Sequence, residues 1–178
     1  ESEPAGSSRT PKGQSVMLAE AKQTTIEIQR LTSDELIAGT IGHPRVYPQS
    51  SDDFSPSPEQ LQALTNPESA LYLGAFDGTE YLGLFVVEQR NGILFEVHTC
   101  LLPTAWGDRA VECAKRCARW IFDNTTCRRI VTSVPDGNLL AIRLAKAAGM
   151  VEYGISPRSI QRGGLLLDQR LLGIDKEA

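Results

Sequence analysis

The sequence predicts an α/β protein built on one mixed sheet, and two stretches carry that prediction. Ile93 to Met150 reads as strand, turn, helix, strand, helix. Ile93 to Leu102 is a β-rich run closed by Pro103, and a helical pattern then runs from about Asp108 to Asp123. Arg129 to Val134 is a second strand, and Asn138 opens a second helix that stops at Gly149. Two strands joined through a helix form a βαβ unit, and the glycine turn before that helix makes an anion-binding corner. The second stretch is Ala70 to Leu102. Asp77-Gly78 and Asn91-Gly92 are hairpin signals that divide it into three strands, an antiparallel meander leading into the βαβ unit.

At 178 residues the chain suits one domain with a substantial core, residues 23–178, and its balance of 41% hydrophobic and 22% charged residues is that of a globular protein. A net charge of −4 gives no electrostatic case for nucleic acid or for an acidic membrane. No apolar run approaches the roughly 20 residues that span a bilayer, and no signal peptide is visible. Cys113 and Cys117 share a helix face with no His or Cys at zinc-type spacing. With Cys100 and Cys127 they read as small buried thiols rather than as a metal site or disulfides, which implies a reducing, cytoplasmic setting.

Taken in order, Glu1 to roughly Lys22 is rich in Ser, Pro, Gly and charge and has no hydrophobic period, so residues 1–22 are expected to be a disordered tail. Met17 is a candidate native start, which would make the preceding residues a cloning remnant. Thr24 to Leu31 alternates apolar and polar residues as a first strand. Ser33, with Asp34 and Glu35 behind it, is a helix cap. Gly42 to Pro58, with four prolines, is expected to be a loop, and Ser57 or Pro58 to start a short helix through Leu64. After Met150, Val151 to Ile160 and Leu165 to Ile174 are two strands turned by Gly163-Gly164. Pro157 demands a bulge or an unpaired edge in the first of them.

The passage Cys127 to Gly154 resembles the strand-Asn-helix-Gly-aromatic segment of the GNAT superfamily of N-acetyltransferases, with Asn138, Ala141, Ile142, Leu144, Gly149 and Met150 at matching spacing. The order β-α-α-β-β-β-α-β-α-β-β is also that of a GNAT-like acyl-CoA N-acyltransferase fold. Thr104 to Ala110 stands where the family carries its pyrophosphate loop. Ala110 fits the pattern there, Ala105 and Asp108 depart from it, and Gly107 serves with a one-residue shift.

The resemblance implies acetyl-CoA as cofactor, an amine acceptor on a small molecule or a protein, and three tasks for the site. The pyrophosphate would be held by main-chain N–H groups of Gly107, Asp108, Arg109 and Ala110, flanked by Trp106. Asp108 repels an anion there, and Arg109 offsets it. Read as structure alone, Trp106-Gly107-Asp108 is a turn and an N-cap. The thioester carbonyl would be polarised by main-chain groups of Cys100, Leu101 and Leu102 on the splayed end of a strand. Glu96 and His98, two apart on that strand and so on one face, are candidates for the base, or else a surface hydrogen-bonded pair. Asn138 caps its helix and in the family often contacts the cofactor. The tyrosine that many members place seven residues later is Ala145 here, with Tyr153 nearby in sequence. Arg158, Arg162 and Arg170 surround the last hairpin, as scattered surface charge or as a landing site for an acidic partner.

The segments YLGAFDG, EVHTCLLPTAWG and VPDGN also resemble a group of short bacteriophage proteins of this fold that act in the virion or in head assembly. That resemblance implies a phage structural protein as partner, virion association, and weak or absent catalysis.

Overall fold

A computed structural model of the chain describes residues 25–61 and 70–177. The expected tail over residues 1–22 lies outside the described residues, as do residues 62–64 of the short helix expected to end at Leu64. Over residues 58–60 the chain turns, and Leu61 is helical.

Seven strands form a single sheet: β1 (Ile26–Arg30), β2 (Leu71–Asp77), β3 (Glu80–Gln89), β4 (Leu94–Leu101), β5 (Arg129–Pro135), β6 (Val151–Arg162) and β7 (Leu165–Asp175). Their spatial order is β1-β2-β3-β4-β5-β7-β6, antiparallel throughout except between β4 and β5. The helices are α1 (Asp34–Ile41), α2 (Tyr47–Ser50), α3 (Asp108–Asn124) and α4 (Leu139–Ala147).

The element order matches the expectation, with one correction. The stretch from Gly42 to Pro58 is not all loop, because α2 lies inside it with Pro48 in its first turn. A proline there forfeits only an N–H that has no helical partner anyway, so proline content misled the reading.

Local signals account for the rest. Ser33 caps α1 by accepting from Leu36 N–H at 3.3 Å, and Asn138 caps α4 by accepting from Ala141 N–H at 3.2 Å. Gly149, with φ +102°, follows α4 in the left-handed region that ends helices. Pro157 sits on the edge strand β6 where the register with β7 slips between Ser156 and Ile160. A proline donates nothing to a ladder, and an edge bulge accommodates it.

Helix α3 shows why it packs where it does. Ala110, Cys113, Cys117 and Ile121 recur at helical spacing and are all buried, facing Leu73, Phe85, Phe95 and Ile130 on the sheet. Burial of one such large aliphatic side chain contributes about 1.5–3 kcal/mol. On the opposite sheet face α1 and the start of α2 pack through Ile37 and Val46 in one cluster with Leu31, Tyr72, Leu84 and Cys100. Helix α4 covers β5 and β7 through Ile142, Ala145, Val134 and Leu172. All four cysteines are buried thiols within these layers. Among the described residues no helix is long and apolar enough to cross a membrane.

Candidate functional site

The parallel pairing of β4 with β5 covers only three positions, Leu94 with Arg129, Phe95 with Ile130 and Glu96 with Val131. Beyond them each strand keeps only its outer neighbour. β4 stays paired to β3 as far as Leu101, and β5 to β7 as far as Pro135. The two strands therefore part like a V that opens towards their C-terminal ends.

A bulge in β3 contributes to the parting. The β2–β3 register slips between Ala75 and Phe76, opposite Leu82 and Gly83. Gly83 has φ +120°, and a Cβ there would lie 2.5 Å from Cys100 O and 2.7 Å from Leu101 Cα. Only glycine lets β4 approach so closely, and a bulge adds twist to the strand pair at the point where β4 leaves β5.

Antiparallel alternation decides which main-chain groups line the gap. Leu102 N–H donates to Leu82 O at 2.9 Å, so residues 102, 100 and 98 turn their main chain to β3. The groups that face the gap belong to Val97, Thr99 and Leu101. Of the expected trio only Leu101 points there; Cys100 and Leu102 do not. Leu101 O is occupied by Trp106 Nε1 at 3.1 Å, which leaves its N–H towards the gap.

At the mouth of the V stands the α3 N-terminus. Gly107 (φ +93°) is its N-cap, without a side-chain hydrogen bond, and Asp108 is the first helical residue rather than the cap. Ala110 N–H turns back to Gly107 O at 3.1 Å, and no side chain caps the turn. A helix start of this kind favours an anion. Asp108 opposes one with an exposed carboxylate.

Arg109 does not offset Asp108. Its guanidinium turns to the β2–β3 hairpin, donating to Glu80 at 2.7 Å, Asp77 at 3.1 Å and Thr104 O at 3.1 Å, while its buried Nε has no partner. The Glu80 carboxylate above all, then that of Asp77, stabilises its charge. Trp106 is part-exposed, with Arg45 stacked over its ring at 5.1 Å.

Glu96 and His98 share a strand face but not a hydrogen bond. Glu96 accepts from Arg90 Nε at 2.8 Å and from Nη2 at 2.7 Å, and Arg90 also reaches Glu88 at 3.1 Å. His98 is half-buried on the face that α2 covers, beside the gap, and its side chain makes no hydrogen bond among the described residues. Cys100, next on that face, is fully enclosed, and burial pushes its thiol up to about 12, so it is no nucleophile near neutral pH. Burial likewise raises Tyr81 to about 12 while its hydroxyl meets Thr40 Oγ1 at 2.9 Å.

Asn138 serves as the α4 cap, and Ala145 is packed against Val134 and Leu172. Tyr153 stacks under Arg129 at 5.1 Å, at the closed end of the β4–β5 pair, so it is remote from the gap. The side chains of Arg170 and Arg162 at the last hairpin are engaged internally, and Arg158 is engaged through its main chain. Arg170 bonds Asp136 and Glu152, Arg162 donates to Gln49 O, and Arg158 N–H donates to Asp168. Arg90 and Asp53 were missed by sequence reading. Neither carries a local signal, since each acts through a residue that only the fold brings near.

Between α3 and the sheet lies a small apolar cavity of about 30 Å³, bounded by Val97, Thr99, Cys117, Ile130 and Met150. A mixed seven-stranded sheet split between β4 and β5, with a helix start at the split, is the fold of the GNAT acetyltransferases. The chain is similar to spermidine N-acetyltransferase from Vibrio cholerae, solved in complex with CoA and spermine, with a TM-score of 0.72 and 18% identity over 84% of this chain and 95% of that one. It is also similar to ribosomal-protein-S5-alanine acetyltransferase from Vibrio fischeri, with a TM-score of 0.66 and 17% identity over 85% of this chain and 93% of that one. At these identities the likeness is one of fold.

In sequence, residues 60–146 match the family described as Protein of unknown function (DUF2824). Protein p31 of Acyrthosiphon pisum secondary endosymbiont phage 1 is 25% identical over 107 residues, 60% of this chain and 69% of that protein.

Proposed function

We propose that the chain is an acyl-CoA-dependent N-acetyltransferase acting on an amine. The observation that carries this reading is the parting of β4 from β5 after Glu96 and Val131, which leaves the main chain of Thr99 and the N–H of Leu101 without a β5 partner beside the α3 N-terminus, which no side chain caps. Unpaired strand groups suit the amides of a pantetheine arm, and the N–H groups at Gly107 and Asp108 suit its pyrophosphate. Asp108 weakens that hold without abolishing it, because its charge is exposed and screened.

When bound, the thioester supplies the acetyl group. Thr99 and Leu101 N–H groups would donate to the carbonyl oxygen as negative charge develops on it. His98, unpartnered and beside the gap, would take the proton released by the attacking amine. Glu96, already held by Arg90, would act on the strand's stability rather than on the proton.

Isothermal titration with acetyl-CoA and with free CoA tests the reading. Micromolar binding, about −8 kcal/mol, is expected. Absence of heat together with an unshifted melting temperature would rule the reading out.

A second reading is favoured by the likeness to protein p31 of a phage and by the exposed Leu139, Leu140, Val151, Tyr153 and Ile155 on α4 and β6. Exposed large apolar side chains suit a protein partner. In this reading the chain is a catalytically weak or inactive phage protein that works in the virion or in head assembly through protein contacts. Stable co-purification with a phage structural protein, with no CoA binding, would establish it in place of the first.

A further inference from the structure

The V between β4 and β5 is open at its wide end as far as the sheet is concerned. Two other segments reach across that end. β7 overshoots β5, since its pairing starts with Gln169 opposite Pro135, so residues 165–168 and the hairpin tip project past the end of β5. From the β4 side comes the segment that includes α2, anchored where Val46 packs in one cluster with Cys100.

The two meet at Asp53. Its Oδ1 accepts from Gly163 N–H at 2.7 Å, and its Oδ2 accepts from Gly164 N–H at 2.7 Å and from Gln161 Nε2 at 3.2 Å. Asp53 N–H donates to Gln161 O at 3.0 Å, and Arg162 Nη2 donates to Gln49 O at 2.9 Å. Gly163 and Gly164 both have positive φ, +56° and +76°, which lets their N–H groups converge on one carboxylate. β4, the α2 segment, the hairpin tip, β7 and β5 thus form a closed ring around the gap.

We infer that Asp53 is a positioning residue that sets acceptor specificity: by clasping Gly163 and Gly164 it turns an open cleft into an aperture of fixed width on the His98 side. The closed ring limits the girth of the amine that reaches His98. The inference rests on reading the gap as the acceptor side of an acyl transfer, but the clasp itself can be tested without any CoA.

The test measures access to a reporter thiol. His98→Cys places one inside the ring, while the four native cysteines are each no more than 2% exposed and react slowly. The protein is treated with methyl methanethiosulfonate, a small reagent, and with a polyethylene-glycol maleimide, a bulky one, in backgrounds carrying Asp53, Asp53→Asn or Asp53→Ala. The small reagent is expected to react at a similar rate in all three. The bulky reagent is expected to react about tenfold faster with Asp53→Ala, because the charge-assisted bonds that close the ring are gone. Asp53→Asn should fall between, since its amide oxygen still accepts from one glycine. Equal acceleration of both reagents, or of neither, would overturn the inference. If Asp53→Ala labels its native cysteines and so proves unfolded, the Asp53→Asn ratio decides. A size effect without CoA binding would keep the clasp and remove the acyltransfer reading, and the reverse result would do the opposite.

Discussion

Arg90 grips Glu96 through Nε and Nη2, at 2.8 and 2.7 Å, and draws it away from a partnership with His98 on the strand face they share. Glu96 lies directly opposite Glu88 in the β3–β4 ladder, so the guanidinium neutralises two carboxylates that would otherwise repel. Loss of the arginine, in Arg90→Ala, is expected to cost about 1 kcal/mol, the scale of a half-exposed ion pair, measured by urea denaturation.

The same geometry divides the catalytic candidates. With acetyl-CoA and a saturating amine, His98→Ala is expected to lower kcat by about 10²–10⁴, the usual contribution of a positioned base, while Glu96→Gln lowers it by less than about tenfold. A larger loss in Glu96→Gln than in His98→Ala would transfer the role to Glu96.

Asp108 is predicted to have opposite effects on folding and binding. Its carboxylate at the start of α3 complements the helix dipole, so Asp108→Asn should destabilise the protein by about 0.5 kcal/mol. It also repels pyrophosphate, so the same variant should bind CoA several-fold more tightly at low salt, with the gain shrinking as salt is added. Calorimetry at two ionic strengths checks both signs. A weaker affinity in the variant would place the pyrophosphate elsewhere.

Gly83 should tolerate no side chain. In Gly83→Ala the new Cβ meets main-chain atoms of Cys100 and Leu101 below 3.0 Å on a backbone of φ +120°. A loss of about 3 kcal/mol or more in a denaturant titration is expected, from strain at a special backbone position. A loss below about 1 kcal/mol would mean that the bulge relaxes and does not steer β4.

The Asp53 clasp has a pH limit whose sign follows from its bonds. The Gly164 N–H foremost, then those of Gly163 and the Gln161 amide, hold the carboxyl below its ordinary 3.8 against an opposing effect of burial. A carboxyl whose folded value is depressed stabilises the closed form above the unfolded value, and the effect is lost as pH falls through the folded value. The amide proton shifts of Gly163 and Gly164, followed by NMR, should therefore titrate with a midpoint below 3.8. A midpoint at or above it would mean the clasp is open in solution.

Most of the fold was legible because its signals are local. Asp77-Gly78 and Gly163-Gly164 turn hairpins by backbone geometry that glycine alone adopts cheaply, and Ser33 and Asn138 cap helices through their own neighbours. Cys113, Cys117 and Ile121 announce a buried stripe by spacing. The site was legible only in outline. Alternation along β4 predicted that Glu96 and His98 share a face, but no pattern in the sequence says that Arg90 would claim Glu96, or that Arg109 would turn to Glu80 and Asp77.

The sequence by itself determined the strands, their hairpins, the capped helices and the glycine corner before α3, since each depends on contacts within a few residues. The tertiary structure alone decided where β4 leaves β5, which main-chain groups face the opening, and that Asp53 closes it by bonding to glycines 110 and 111 residues further along the chain. Those outcomes depend on register and on long-range contacts, and an exposed carboxylate in a loop carries no mark of the N–H groups it will meet.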